Sequence, residues 1–222
     1  GCLKNQELNK AVEYLLGMKS FNITPDEVLL NSLLDGCDKM KKYNKAVEIF
    51  DYVLSFETEP SMMSYSIMMK VYGKLNDFPS SKKLMDEVKK KSKNISLIIF
   101  TCYIKTCFST RNIDEAISIY KQFKDFKLIP DSVTYTTILK GLMSCHCDEH
   151  IYYILKDSLE LNIFLNNSIY YDCVKYSKRN KADISQLLQS YGITVDNHIN
   201  QSSKDEANYY LLDNYKYNRP KK

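Results

Sequence analysis

The chain has 222 residues, 44% of them hydrophobic, with a formal charge of +4 from 31 basic and 27 acidic side chains. That content supports a buried core and argues against disorder, while the mild basic excess permits a nucleic-acid partner without demanding one. No apolar run approaches the roughly 18 residues of a membrane span, the opening GCLKNQELNK lacks a signal-peptide core, and seven cysteines suit a reducing compartment better than a disulfide framework, so no membrane partner is expected.

Six glycines and five prolines, with no β alternation, predict an all-helical chain. A step of 35 residues organises it. Ala11, Ala46, Ser81 and Ala116 share one register, Pro25, Pro60 and Pro130 another, Tyr65, Phe100, Tyr135 and Tyr170 a third, and Lys70, Lys105, Lys140 and Lys175 a fourth. A fixed period of this size signals a solenoid whose units cannot bury their apolar faces alone.

In chain order, 1–26 reads as a truncated repeat that begins mid-unit, followed by complete repeats at 27–61, 62–96, 97–131 and 132–166. In 62–96, Asn76 and Asp77 precede Phe78 and Pro79, and proline is tolerated in a first helical turn, where its missing N–H costs nothing. In 97–131 the pattern predicts a helix over about 98–108, a turn at Ser109–Asn112, and a second helix in IDEAISIYKQF, with Ile113, Ala116, Ile117, Tyr120 and Phe123 on one face. Prolines at the repeat ends are expected to stop the second helices, and small Ala46 and Ala116 to let paired helices approach closely. Residues 167–196 start in register but reach GITVD early, giving a shortened repeat. In 197–222, Ser203 and Glu206 form a capping-box pattern before Tyr209, Leu211, Leu212 and Tyr215, which predicts a capping helix and a basic tail.

With this register the sequence resembles the pentatricopeptide repeat family, P-type array, whose repeats are 35 residues and two helices long. IDEAISIYKQFKDFKLIPD and the DSVTYTTILKGL that shares its last aspartate carry the resemblance, which covers about 1–196. Tetratricopeptide repeats have a period of 34 and a tryptophan and glycine-tyrosine pattern, and this chain has no tryptophan. The resemblance implies a right-handed α-solenoid of 35-residue helix-turn-helix repeats that binds single-stranded RNA, one base per repeat. It also implies the base-specifying pairs: Asn31 with Ser61, Ser66 with Ser96, Thr101 with Asp131, and Thr136 with Asn166. By the family's correspondence these read cytosine, a weakly specified purine, guanine and adenine, giving a core site 5′-C-(A/G)-G-A-3′. Asp26 keeps one half of a pair, and Tyr171 replaces the small polar residue of the shortened repeat, so neither is assigned a base. Val28, Met63, Ile98 and Val133 are implied to clamp bases between repeats, and Ser168 breaks that set.

Lysines support the same face. Thr101 and Lys105, like Thr136 and Lys140, are four residues apart and so share a helix side, which places an ammonium toward a phosphate. Lys70 shares the register of Lys105 and Lys140, and Lys39 and Lys74 add a second row one turn along.

CHCDEH, Cys145–His150, carries zinc-type ligands but sits at a turn, lacks a second ligand pair at finger spacing and recurs in no other repeat, so no metal or other cofactor is assigned. Cys2, Cys37 and Cys107 share a register and read as small core residues, as Cys102 and Cys173 do within first helices. His146, His150 and His198 are the only histidines, no glycine-rich phosphate loop occurs, and the ending NYKYNRPKK lacks a deaminase signature, so no catalysis is expected from this chain. Most of the 18 tyrosines recur at apolar stripe positions or cluster near the C-terminus, and core packing is the default reading for them. The function expected is sequence-specific single-stranded RNA binding in organellar (mitochondrial or plastid) RNA stabilisation, processing or translation, with a homodimer or protein partner open through the C-terminal region. The alternative is a structural solenoid, such as an organellar ribosome-associated subunit, that binds folded RNA or protein.

Overall fold

A computed structural model describes residues 5–18, 21, 23–55, 59–91, 95–123, 125–177 and 181–195. Among them the elements are α1 (Asn5–Met18), α2 (Glu27–Lys39), α3 (Tyr43–Leu54), α4 (Met62–Leu75), α5 (Phe78–Lys91), α6 (Leu97–Ser109), α7 (Ile113–Gln122), α8 (Ser132–Ser144), a 3₁₀ turn (Asp148–His150), α9 (Ile151–Glu160), α10 (Asn167–Tyr176) and α11 (Lys181–Ser190). No strand occurs among the described residues. The chain divides into two compact units, residues 1–129 and 130–222.

The 35-residue step is written into the backbone. Lys41, Asn76, Arg111 and His146, spaced by that step, all adopt a left-handed conformation with φ between 56° and 60°. Each follows a first helix, and the next residue donates its N–H back into that helix: Lys42 to Cys37 O at 2.8 Å, Asp77 to Tyr72 O at 3.0 Å, Asn112 to Cys107 O at 2.8 Å and Cys147 to Leu142 O at 2.9 Å. These bonds satisfy carbonyls that the helix end would leave unpaired. Asparagine tolerates this conformation well; lysine, arginine and histidine adopt it at a steric cost that the returned hydrogen bond offsets.

Two of the second helices, α7 and α9, stop the same way. Lys127 and Asn162 are left-handed, and Leu128 and Ile163 donate to Phe123 O at 2.9 Å and Ser158 O at 2.8 Å. Pro130 therefore does not stop α7, contrary to the sequence expectation, and α3 likewise ends before its proline. Helix α3 ends at Leu54 and α7 at Gln122, well upstream of Pro60 and Pro130. Both prolines are buried in the extended entry to the next first helix, where a fixed φ suits the approach to an N-cap.

In the first compact unit, α2, α4 and α6 pack side by side, and α3, α5 and α7 each pack on their own first helix; α3 also packs on α4, α5 on α6 and α1 on α2. In the second unit α8 packs on α9 and α10, and α11 on α9 and α10. The aromatic register forms the centre of the first helices: Tyr65, Phe100, Tyr135 and Tyr170 are all buried. Each such side chain contributes on the order of 1.5–3 kcal/mol by leaving water. Tyr170 Oη accepts the Leu165 N–H at 2.8 Å, so its polar end is satisfied inside the core. Ala46, Ser81 and Ala116 are buried, as close approach of paired helices requires, and the Ser81 hydroxyl donates to Phe78 O at 2.8 Å. Cys37 and Cys107 are core residues; Cys2 and the Ser203–Tyr215 segment lie outside the described residues.

Candidate nucleic-acid interface

The residues that close the repeats, those expected to specify bases among them, are first of all helix caps. Asp26, Ser61, Ser96, Asp131 and Asn166 occupy the N-cap positions of α2, α4, α6, α8 and α10, each with extended backbone. Asp26 accepts from Leu29 N at 2.7 Å, Ser61 from Ser64 N at 3.2 Å, Asp131 from Thr134 N at 2.8 Å and Asn166 from Ile169 N at 3.0 Å. Ser96 makes no side-chain cap bond. Asn, Asp and Ser are the residues an N-cap selects, because a short side-chain oxygen reaches an unpaired N–H of the first turn. Capping alone therefore accounts for these residue types, a reason that the sequence reading missed.

The structure brings the first expected pair together. Asn31 Nδ2 donates to Ser61 Oγ at 3.4 Å, linking α2 to the start of α4. Two further groups close on the same amide: the Ser64 hydroxyl donates to Asn31 Oδ1 at 2.7 Å, and Nδ2 also faces Glu27 Oε1 at 3.4 Å. Ser66 sits differently, only 3% exposed, with its hydroxyl donating to Met63 O at 2.8 Å. Thr101 is half-buried and its hydroxyl donates to Leu97 O at 2.8 Å. Thr136 is half-buried and Asn166 exposed, both in the second compact unit. Thr101 belongs to the first compact unit and Asp131 to the second.

Four apolar side chains stand out on the first helices. Val28, Met63, Ile98 and Val133 are 72%, 57%, 61% and 62% exposed, although each belongs to a helix whose other large apolar residues are mostly buried. They recur at the 35-residue step, each three residues before Asn31, Ser66, Thr101 or Thr136 and hence on the same helix side. Ser168 at the corresponding step is exposed.

Lys39, Lys70, Lys74, Lys105 and Lys140 are all exposed. Lys39 pairs with Asp35 one turn away, which competes with any phosphate for its ammonium. Burial pushes the Cys102 thiol pKa up, and the positive charges of Lys70 and Lys105, the smaller effect, oppose it, so these two lysines from successive first helices both act on the surroundings of Cys102. No ion pair engages Lys70, Lys74, Lys105 or Lys140 among the described residues.

The CHCDEH stretch forms a turn with left-handed His146, and no cluster of three or more His, Cys, Asp or Glu among the described residues could hold a metal ion. No described helix is long and apolar enough to cross a membrane.

Family models match in three places: the PPR repeat family at residues 95–144, the pentatricopeptide repeat domain at 15–75 and the PPR repeat at 63–92, together more than half of the chain. The chain belongs to the pentatricopeptide repeat family. Solved structures agree on the fold of this pentatricopeptide repeat chain. It is similar to the pentatricopeptide repeat protein PPR10 from maize, with a TM-score of 0.66 and 18% identity over 84% of this chain and 28% of that one. PPR10 in complex with an 18-nt psaJ RNA element matches with a TM-score of 0.63 and 20% identity, over 83% of this chain and 28% of that one. The PPR domain of Arabidopsis thaliana protein-only RNase P 1, in complex with tRNA, matches at 0.65 and 17% identity, over 86% of this chain and 99% of that one. The pentatricopeptide repeat chain therefore spans little more than a quarter of the length of PPR10. No curated protein matches it in sequence.

Two participants had no sequence signal. Glu27 opens its helix and reads as an ordinary first-turn acid, and Ser64 reads as one more small residue in MMSYS. The only available hint was that a polar residue at the step of Ser64 falls where Ile99 and Ile169 are apolar.

Proposed function

We propose that this chain binds single-stranded RNA in a sequence-directed manner, one base per repeat, and acts by occupying a transcript in organellar RNA stabilisation, processing or translation. The observation that carries the reading is the hydrogen-bonded Asn31–Ser61 pair, on a helix whose Val28 is exposed one turn earlier. An amide and a hydroxyl held together offer donors and acceptors to a Watson–Crick edge, while exposed apolar side chains offer surfaces on which bases stack. Lys70, Lys74, Lys105 and Lys140 supply cations for the backbone. The proposed core remains 5′-C-(A/G)-G-A-3′. PPR10 in complex with a psaJ RNA element supports RNA as the ligand class.

A second reading has one observation in its favour. Ser66 is buried and its hydroxyl is committed to its own helix, so that repeat offers little to a base edge. A solenoid that contacts folded RNA without a code would tolerate this, and the likeness to a PPR domain in complex with tRNA is compatible with it.

Competition binding across a salt series separates the two. Sequence-directed binding favours an oligomer containing CAGA over its scramble at every salt concentration, whereas an electrostatic binder loses both together. Equal affinity for the two oligomers throughout would overturn the proposal.

A further inference from the structure

We propose that Ser64 is a positioning residue for base recognition by Asn31, fixing its amide so that Nδ2, and not Oδ1, is turned to the base. The inference rests on the base-reading role given to Asn31 above, and it adds a residue from the following repeat. The Ser64 side chain is fully buried, with 0% exposure, and its hydroxyl donates to Asn31 Oδ1 at 2.7 Å. Asn31 Nδ2 in turn donates to Ser61 Oγ at 3.4 Å, and Ser61 Oγ lies 3.2 Å from Ser64 Oγ. The Ser64 proton is committed to Asn31, so the Ser61 hydroxyl is the donor to Ser64. Three groups thereby form a closed ring in which each donates once and accepts once.

Such a ring could run in either direction if the amide flipped, and Glu27 decides between them. Its carboxylate only accepts, and Oε1 lies 3.4 Å from Asn31 Nδ2. A flipped amide would set Oδ1 against that oxygen, acceptor against acceptor. The lengths complete the argument. The bond that anchors Oδ1 is short, while both contacts of Nδ2 are at the long limit of a hydrogen bond. The amide is held by its oxygen, and its two N–H groups, engaged only by long contacts to Ser61 and Glu27, can turn from either of them to donate to a base. A donor suits cytosine, whose N3 and O2 both accept, and meets the N3–H donor of uracil unfavourably.

The same step of the repeat shows the device once more. Thr134 is buried, and its hydroxyl donates to Asp131 Oδ1 at 2.7 Å, the oxygen that also caps α8. A hydroxyl at this step thus holds a specifying side chain in one orientation.

The test pairs Ser64→Ala with Ser64→Thr, since Thr134 already occupies the corresponding position. Ser64→Cys, close in volume and a weak donor, answers the same question should the alanine variant unfold. Affinities are measured for oligomers that contain CAGA, UAGA or CAGG, and the Asn31 side-chain amide is followed by ¹⁵N NMR in the free protein. The expected result is that Ser64→Ala lowers the preference for C over U at the first base about threefold to tenfold, the worth of one net hydrogen bond. It leaves the preference for A over G at the last base unchanged and shifts the Asn31 amide signals, and Ser64→Thr restores both. An unaltered first-base preference in a folded Ser64→Ala, or unshifted Asn31 signals, would overturn the inference. A wild-type chain indifferent to the first base overturns the base assignment itself, and that failure is recognised because the Asn31 signals still move in Ser64→Ala.

Discussion

Substitution of Gly73 by alanine tests the packing that sets the spacing of the first helices α4 and α6. Gly73 lies near the end of α4, and a Cβ built there would fall 2.6 Å from Thr106 Oγ1 on α6. That oxygen is no mobile chain end: it donates to Met69 O at 3.0 Å and lies 3.1 Å from Cys102 O. Helix propensity favours alanine over glycine by about 1 kcal/mol. Against it stand about 1–3 kcal/mol for overpacking and about 1 kcal/mol for the hydrogen bond to Met69, which Thr106 loses if it rotates away. Gly73→Ala is therefore expected to destabilise by about 1–3 kcal/mol. Thr106→Ala alone loses the same bond, but the double variant regains the propensity gain, so the two substitutions should couple favourably by more than 1 kcal/mol. Urea unfolding of the four proteins, followed by circular dichroism, measures the cycle. A Gly73→Ala chain more stable than wild type by about 1 kcal/mol, with no coupling to Thr106, would show that α4 and α6 part freely and refute the close approach.

Three further outcomes are expected. Replacing Lys105 and Lys140 by alanine should weaken all RNA sequences alike and reduce the slope of log K against log salt by about one unit per lost phosphate contact; an unchanged slope would place both lysines off the phosphate path. Asn166→Asp should move the preference at the last base from adenine toward guanine with the other positions unaffected, as read by selection from a pool randomised at that base, and a pool that still enriches adenine refutes the assignment. Cys145 and Cys147, half-buried at the turn after α8, should be alkylated at pH 8 well before Cys107 and Cys173, whose thiols burial pushes up to about 12. A pKa of about 12 leaves on the order of one thiolate in ten thousand at pH 8, since each unit below the pKa is a factor of ten. Peptide mapping by mass spectrometry gives the order, and equally rapid labelling of Cys107 would contradict its burial.

The period was legible because packing imposes it. A repeated interface needs a repeated aromatic, as at Tyr65, Phe100, Tyr135 and Tyr170, and a repeated small residue, as at Ala46, Ser81 and Ala116, and side-chain volume is visible in a sequence. The turn around Arg111 and the helices on either side of it, α6 and α7, were legible for the same reason. The left-handed residues were not. Lysine and arginine, at Lys41, Arg111 and Lys127, have little propensity for that conformation, which the returned hydrogen bonds support, so the stop of α7 after Gln122 was credited to Pro130, which in fact serves the next helix. Burial at single sites was hidden too. Ser66 and Thr101 look alike on paper, yet Ser66 is buried, and only the packing of α4 between α2 and α6 distinguishes them.

The caps sharpen what a base-reading residue has to satisfy. On the proposed reading, the side chain at the end of a repeat caps the first turn of the following helix, as all but Ser96 do, and still faces a ligand, and only a short polar group with spare bonding capacity can do both. Ser61 caps α4 while accepting from Asn31, and Asp131 places both hydrogen bonds from Thr134 on Oδ1, with Oδ2 outside the cap. Asn166 uses Oδ1 for the cap, which leaves its Nδ2 donors outside it. Exchange among Asn, Asp and Ser keeps the capping oxygen and so alters the group offered to a base with little effect on helix stability, whereas alanine removes both at a cost of about 1 kcal/mol. Folding thus restricts these positions to the same few side chains that can discriminate bases by hydrogen bonds. Under the proposed code a repeat could then change the base it reads without losing the helix that follows it, provided the hydroxyl that orients the pair, as proposed for Ser64 with Asn31, is kept with it.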